Sequence, residues 1–122
     1  LYDLLIRLDR DYNRPLIYIT ENGCSFGDEK VVKGKIHDEW RKEYLKKHIK
    51  AAGQAISDGV NLQRYYVWSI LDNFEWLSGL SQRFGFIYVD YKTQKRIWKD
   101  SAFWFREVIK NNGLNLTREE DN

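Results

Sequence analysis

The sequence predicts an α/β fold built on parallel strands, and three observations carry the prediction. Leu16-Ile17-Tyr18-Ile19 is a short, continuous apolar run that follows Pro15 and stops at Glu21-Asn22-Gly23, the pattern of a fully buried strand as in a parallel sheet. Leu62 to Trp68 is a second strand, with Tyr65, Tyr66 and Val67 supplying β propensity. Between them lies an amphipathic helical pattern, so strand, helix and strand make one βαβ unit.

The chain has 122 residues, enough for a real core. Its 20 Lys+Arg and 18 Asp+Glu leave a net charge of +2 and are interleaved, which is not a nucleic-acid footprint. Five Trp, eight Tyr and six Phe suit packing first and flat ligand faces, such as sugar rings, second. The lone Cys24 cannot form an internal disulfide, so nothing demands an oxidising compartment. No run approaches the length of a membrane span, and no signal peptide opens the chain. The expectations are a cytoplasmic protein, with no membrane and no nucleic-acid partner. The chain begins at Leu1 inside a helical pattern, which suggests a piece of something longer.

From Leu1 to Tyr12, Leu1, Leu4, Leu5, Leu8 and Tyr12 share one helical face, with Asp3 and Arg7 at i,i+4 on the other. Asn13 is the expected C-terminal cap, and Pro15 forbids continuation. After the Leu16–Glu21 strand, residues Asn22 to His37 form a long loop with Gly23, Gly27 and Gly34. Loops of that length are more often functional than idle. Asp38 is the expected N-cap of the central helix. Its apolar face is Trp40, Tyr44, Leu45, His48, Ile49, Ala52 and Ile56, and its wet face is Lys42, Glu43, Lys46, Lys47 and Lys50. Gly59 closes it.

Ser69 to Arg83 is a second long connection. Phe84–Val89 and Arg96–Trp98 form a hairpin across Lys92-Thr93-Gln94-Lys95. Ser101 or Asp100 caps a last helix with Phe105, Val108 and Ile109 apolar and Gly113 ending it; Thr117 to Asn122 is polar and expected to fray. Two strands cannot bury both faces of a parallel sheet, so further strands must come from elsewhere.

Two stretches carry chemistry. Glu21 stands where a strand ends and a loop begins, the place where α/β folds put their reaction centres. That stretch by itself fits an ordinary glutamate at a loop mouth equally well. Trp68-Ser69-Ile70-Leu71-Asp72-Asn73-Phe74-Glu75-Trp76 follows the second strand, on the same side of the sheet. A carboxylate accepts hydrogen bonds from sugar hydroxyls, an indole N–H donates one, and an indole face covers the C–H side of the ring. Core packing is the other reading of these indoles. Neither His37 nor His48 belongs to a metal-ligand cluster, so no metal or other cofactor is expected.

Tyr18-Ile19-Thr20-Glu21-Asn22-Gly23 resembles the nucleophile motif of family 1 glycoside hydrolases, the β-glucosidases. The second stretch, with Arg83-Phe84-Gly85 and Tyr88-Val89-Asp90 behind it, is similar to that family's C-terminal signature. The resemblance runs through essentially the whole chain. It implies that residues 1–122 are the C-terminal segment of a single (β/α)8 TIM-barrel domain. They would supply strands seven and eight with their flanking helices, and a missing N-terminal portion would complete the barrel.

The resemblance further implies Glu21 as the nucleophile, Glu75 as acceptor from glycone hydroxyls and Trp76 as donor to them. Trp68 would be the stacking platform, and Phe84 would line the pocket near the hydroxymethyl group. The expected substrate is a β-glucoside, and the expected partner is the N-terminal part of the barrel. The family's acid/base glutamate lies in an Asn-Glu-Pro motif. The single proline here, Pro15, follows Arg14, so that group is outside this chain and the isolated chain is expected to be inactive. Leu80 stands where many members have Tyr, and Trp98 where many have Pro; both read as packing variants. Retention of Glu75 favours a neutral glycone over a 6-phosphoglycoside, because a fixed carboxylate repels a phosphate dianion. A non-catalytic sugar-binding fragment or pseudoenzyme is the alternative, as is a purely structural α/β piece. Asn115-Leu116-Thr117 matches a glycosylation sequon, a motif frequent by chance.

Overall fold

A computed structural model of the chain describes residues 1–26, 29–113 and 116. Helix α1 (Tyr2–Asp11) leads into strand β1 (Ile17–Asn22). Helix α2 (Glu39–Ser57) then crosses over to strand β2 (Leu62–Val67), which pairs with β1 in parallel. Strands β3 (Ile87–Val89) and β4 (Arg96–Trp98) form an antiparallel hairpin, and helix α3 (Asp100–Lys110) follows. The expected βαβ unit and hairpin are both present. The expectations about Thr117–Asn122 and about the Asn115-Leu116-Thr117 sequon fall, apart from Leu116, outside the described residues.

Turn chemistry sets the element ends as anticipated. Asn13 follows the α1 C-cap in the left-handed region, at φ 57°, and Gly59 does the same after α2 at φ 99°. Gly113, at φ 75°, closes α3 by donating its N–H to the Val108 carbonyl.

The helix faces differ from the periodicity. In α1 the buried residue is Leu5, flanked by Leu1, Tyr2 and Ile6, while Leu4 and Tyr12 are exposed. The helix packs on α2, so the stripe that meets α2 is the buried one. In α2, Leu45, Ala52 and Ala55 are buried as hydrophobic contacts, but Trp40 is 74% exposed and Ile56 is exposed too. Arg41 takes the buried place beside Trp40, because carboxylates await it there. Small side chains at Ala52 and Ala55 let α2 approach the core that Leu5, Val60 and Leu62 complete. A second cluster, Leu45, Phe86 and Ala102, joins α2 to α3 and the segment leading into β3.

Strand β1 is not fully buried, contrary to the reading of its apolar run. Ile17 and Ile19 pack toward the helices, while Leu16 and Tyr18 are exposed. The sheet containing β1 has only β2 beside it among the described residues, so its second face is bare.

Asp38 is the N-cap residue of α2, but its carboxylate does not cap that helix. It caps α3 instead: Oδ1 accepts the Ser101 N–H at 2.8 Å and Oδ2 accepts the Ser101 hydroxyl at 2.5 Å. The N-cap of α3 itself is Lys99, with Asp100 and Ser101 already inside the helix. A carboxylate is well placed at a helix N-terminus, where free N–H groups and the helix dipole favour negative charge.

Candidate active site

Glu21 owes its direction to an irregularity in the sheet. From Ile19 to Asn22, β1 advances three residues while β2 advances two, from Tyr65 to Val67. One extra residue in a strand shifts the alternation of its faces. Asn22 thereby joins Ile17 and Ile19 on the helix side, and both Thr20 and Glu21 are exposed.

Asn22 is held by three groups. Its Oδ1 accepts the Tyr65 hydroxyl at 2.5 Å, its Nδ2 donates to the Tyr44 hydroxyl at 3.3 Å, and its carbonyl accepts the Trp68 N–H at 2.9 Å. Tyr44 in turn stacks on His48, and burial pushes the Tyr65 hydroxyl well above the usual tyrosine range. Next to Asn22, Gly23 lies directly against the Trp68 backbone. The peptide between Trp68 and Ser69 is cis.

Trp68 is therefore the joint between the ends of the two parallel strands. Its indole Nε1–H donates to Glu75 Oε2 across 3.4 Å, a long bond. The Glu75 backbone is fixed in a tight turn, its N–H donating to the Gly79 carbonyl at 2.7 Å. Phe84 lies alongside, its carbonyl accepting the Ser69 N–H at 3.2 Å. Trp76 stands apart: it is 81% exposed and opens a short 3-10 turn, Trp76–Ser78. The structure thus joins Trp68 to Glu75 through their side chains, and ties the Trp68–Ser69 backbone to Asn22 at the end of β1 and to the Phe84 carbonyl, while Trp76 reaches into solvent.

Beneath these loops lies a network of charges that the sequence reading did not single out as a unit. Asp72, with no side-chain exposure, accepts from Arg83 at 2.7 Å, Lys99 at 2.9 Å and the Gly85 N–H at 2.9 Å. Lys99 also contacts Glu29, and Glu29 reaches Arg41 at 2.5 Å, which pairs with Asp38 at 2.5 Å. Three carboxylates meet three cations, so the cluster is neutral as a whole. Buried charges persist only when paired in this way. The network ties the loop after β1 (Glu29), the start of α2 (Asp38, Arg41), the connection after β2 (Asp72, Arg83) and the start of α3 (Lys99) into one block. The available signal was charge at apolar positions: Arg41 on the inner stripe of α2 and Asp72 inside Ile70-Leu71-Asp72.

Cys24 lies above this block, and burial pushes its thiol up to about 11. Among the described residues no group of three or more His, Cys, Asp or Glu side chains is arranged to hold a metal ion. No helix among them is long and apolar enough to cross a membrane. A cavity of about 850 Å³ lies between α2, β2 and α3 and is lined by Ile49, Leu62, Tyr65, Phe105 and Val108. It takes in none of Glu21, Trp68, Glu75, Trp76 or Phe84.

Two parallel strands joined by a helix, with Glu21 at the end of one and Trp68 and Glu75 after the end of the next, form the repeating unit of an α/β barrel with polar groups at its strand ends. The family model for glycosyl hydrolase family 1 matches residues 1–114, and the chain belongs to that family. It is 54% identical over 114 residues to β-glucosidase A of Thermotoga maritima, an alignment covering 93% of this chain and 26% of the relative. It is 56% identical over 114 residues to β-glucosidase A of Acetivibrio thermocellus, covering 93% and 25%. Solved structures of the Thermotoga maritima β-glucosidase, in complex with deoxynojirimycin and with glucoimidazole, superimpose at a TM-score of 0.89 with 55% identity over 93% of this chain and 26% of theirs. The chain spans about a quarter of the length of the curated relatives it matches, and its fold is that part of a TIM-barrel glycosidase.

Proposed function

We propose that this chain forms strands seven and eight of a retaining β-glucosidase and carries its nucleophile, Glu21. β1 and β2 would be those strands, and the rest of the barrel would pair with them and cover the bare face on which Leu16 and Tyr18 stand exposed. The observation that carries the reading is the bulge after Ile19. It frees Glu21 from the helix side at the C-terminal end of a parallel strand, next to Asn22, whose carbonyl accepts the Trp68 N–H.

In this reading a carboxylate oxygen of Glu21 attacks the anomeric carbon of a terminal β-glucosyl unit. The bond to the leaving oxygen breaks, and that oxygen takes a proton from an acid on the rest of the barrel. The same group then removes a proton from water. The water attacks the anomeric carbon, breaks the bond to Glu21 and releases glucose with retained configuration. Such enzymes hold their two carboxyl groups about 5–5.5 Å apart. Glu75 accepts from glycone hydroxyls, Trp68 covers the ring, Trp76 donates to a hydroxyl once the barrel closes around it, and Phe84 bounds the pocket. The chain alone lacks the acid/base and does not turn over. A cytoplasmic setting belongs to the same reading, since the lone Cys24 thiol needs no oxidising compartment.

The test is to join this segment to the rest of a family 1 barrel and treat the completed enzyme with a 2-deoxy-2-fluoro glucoside bearing a good leaving group. The fluorine slows both steps, and the leaving group rescues only the first, so the glycosyl-enzyme accumulates. Peptide mapping is expected to find the sugar on Glu21. Label on Glu75 would overturn the assignment, and sugar binding without label or turnover would favour a binding module.

A further inference from the structure

We infer that Asn22 and Tyr65 form a positioning pair that holds the strand bulge and so aims Glu21. The inference rests on the reading of Glu21 as nucleophile. A bulge is one of several ways a strand can end, and the backbone at Thr20–Glu21 has no ladder partner to fix it. What stands immediately after it is Asn22, whose carboxamide is anchored to the neighbouring strand by the Tyr65 hydroxyl at 2.5 Å and to α2 by the Tyr44 hydroxyl at 3.3 Å. Tyr65 sits in β2 opposite Ile19, the last regularly paired residue before the extra one. The hydrogen bond therefore spans the irregularity from one side to the other.

Tyr65 can hold this place because its ring is packed in the Leu5–Leu62 core cluster, so the hydroxyl is a rigid donor rather than a free rotor. With Asn22 held, the peptide that carries Glu21 is fixed at both ends: Ile19 by the ladder, and Asn22 by its side chain and by the Trp68 N–H to its carbonyl. Neither Asn22 nor Tyr65 needs to touch substrate. Their work is to keep the nucleophile within the narrow range of positions from which attack is efficient. A displacement of about 1 Å costs on the order of 100-fold in such reactions.

The experiment uses the completed enzyme and the same fluoro-glucoside, followed as a single turnover. The unmodified enzyme is mapped first; if its label is not on Glu21, the nucleophile reading fails before any variant is made. Tyr65→Phe, Asn22→Ala and the double variant are then compared. The expected result is a labelling rate constant about 10- to 100-fold lower in each single variant. The final label per folded molecule should be unchanged, and the concentration giving half-maximal rate should stay within about twofold. The double variant should be no slower than the slower single one, since both remove the same contact. A purely structural role would lower the amplitude or the melting temperature and leave the rate constant alone. Rate constants within about twofold of the unmodified enzyme, multiplicative losses in the double variant, or failure of both single variants to fold would each overturn the inference.

Discussion

The carbonyl oxygen of Trp68 occupies the space where a side chain on Gly23 would begin: a Cβ built there would lie 1.8 Å from it. The obstacle is backbone, which cannot swing aside as a flexible side chain can. The loops leaving the two parallel strands touch at this point, and the Trp68 N–H bonds to the carbonyl of the residue before Gly23 at 2.9 Å. Gly23→Ala should force the loops apart and destabilise the completed enzyme by about 1–3 kcal/mol, the usual cost of overpacking. Urea unfolding at unchanged slope reads this directly. A midpoint equal to that of the unmodified protein would mean that the approach is looser than the geometry requires.

Lys99 is the second test. Its ammonium is wholly buried between Asp72 and Glu29. Lys99→Met keeps an apolar stem in the buried place and removes the ammonium, so it isolates what that charge contributes to stability. Burial, with Arg41 nearby, holds the Lys99 pKa below its ordinary 10.5 despite the attraction of Glu29 and Asp72. Between that lowered folded value and 10.5 the unfolded chain binds more protons, so this group makes stability rise with pH across that window. Below the window both states are charged and the burial penalty is present in full. Subtracting the stability profile of Lys99→Met from that of the unmodified protein should reveal the alkaline rise. A flat difference would show that Lys99 titrates normally.

Cys24 should be a sluggish thiol. With its pKa pushed up to about 11, the reactive thiolate is about 0.1% of the total at pH 8, on the order of 100-fold less than for a free cysteine. Modification by an aromatic disulfide should be slowed, by less than that fraction because a thiolate of higher pKa is the better nucleophile, and should accelerate about tenfold per pH unit up to about pH 11. Rapid labelling at pH 8 would contradict the burial assigned to it.

Elements whose cause is local were legible in the sequence. Asn13, Gly59 and Gly113 end helices through their own backbone preferences, and the two strands and the hairpin follow from short apolar runs between turn residues. That the Glu21 and Trp68–Glu75 stretches stand at the ends of β1 and β2 was legible for the same reason. What was hidden depends on partners distant in the chain. Periodicity placed Trp40 inside and said nothing of Arg41, since Arg41 is buried only because Glu29 and Asp38 meet it. Asp38 has the residue type and position of an N-cap, yet it serves a helix 63 residues on. The bulge that turns Glu21 outward has no sequence mark of its own; it exists in the offset between two strands.

On the proposed reading of Glu75 as acceptor from glycone hydroxyls, a substitution there separates binding from catalysis. Its carboxylate already has one partner in the structure, the Trp68 indole at 3.4 Å, and the length of that bond leaves the oxygen with capacity for a stronger donor. As a glycone flattens toward the oxocarbenium-like transition state its hydroxyls become better donors, so a carboxylate that accepts from them gains more at the transition state than in the ground state. Glu75→Ala in the completed enzyme should therefore lower kcat as well as raise KM, with kcat/KM down about 100-fold or more. That corresponds to about 3 kcal/mol, within reach of one or two hydrogen bonds to a charged group. Glu75→Gln keeps an acceptor oxygen but not the charge and should fall between the two. The indole of Trp68, which loses a partner in the alanine variant, keeps one in the glutamine variant, so the comparison also divides the loss between charge and loop order. Steady-state kinetics on an aryl β-glucoside gives both constants. A rise in KM with kcat intact would show that Glu75 binds substrate and transition state alike, and would remove it from the catalytic step.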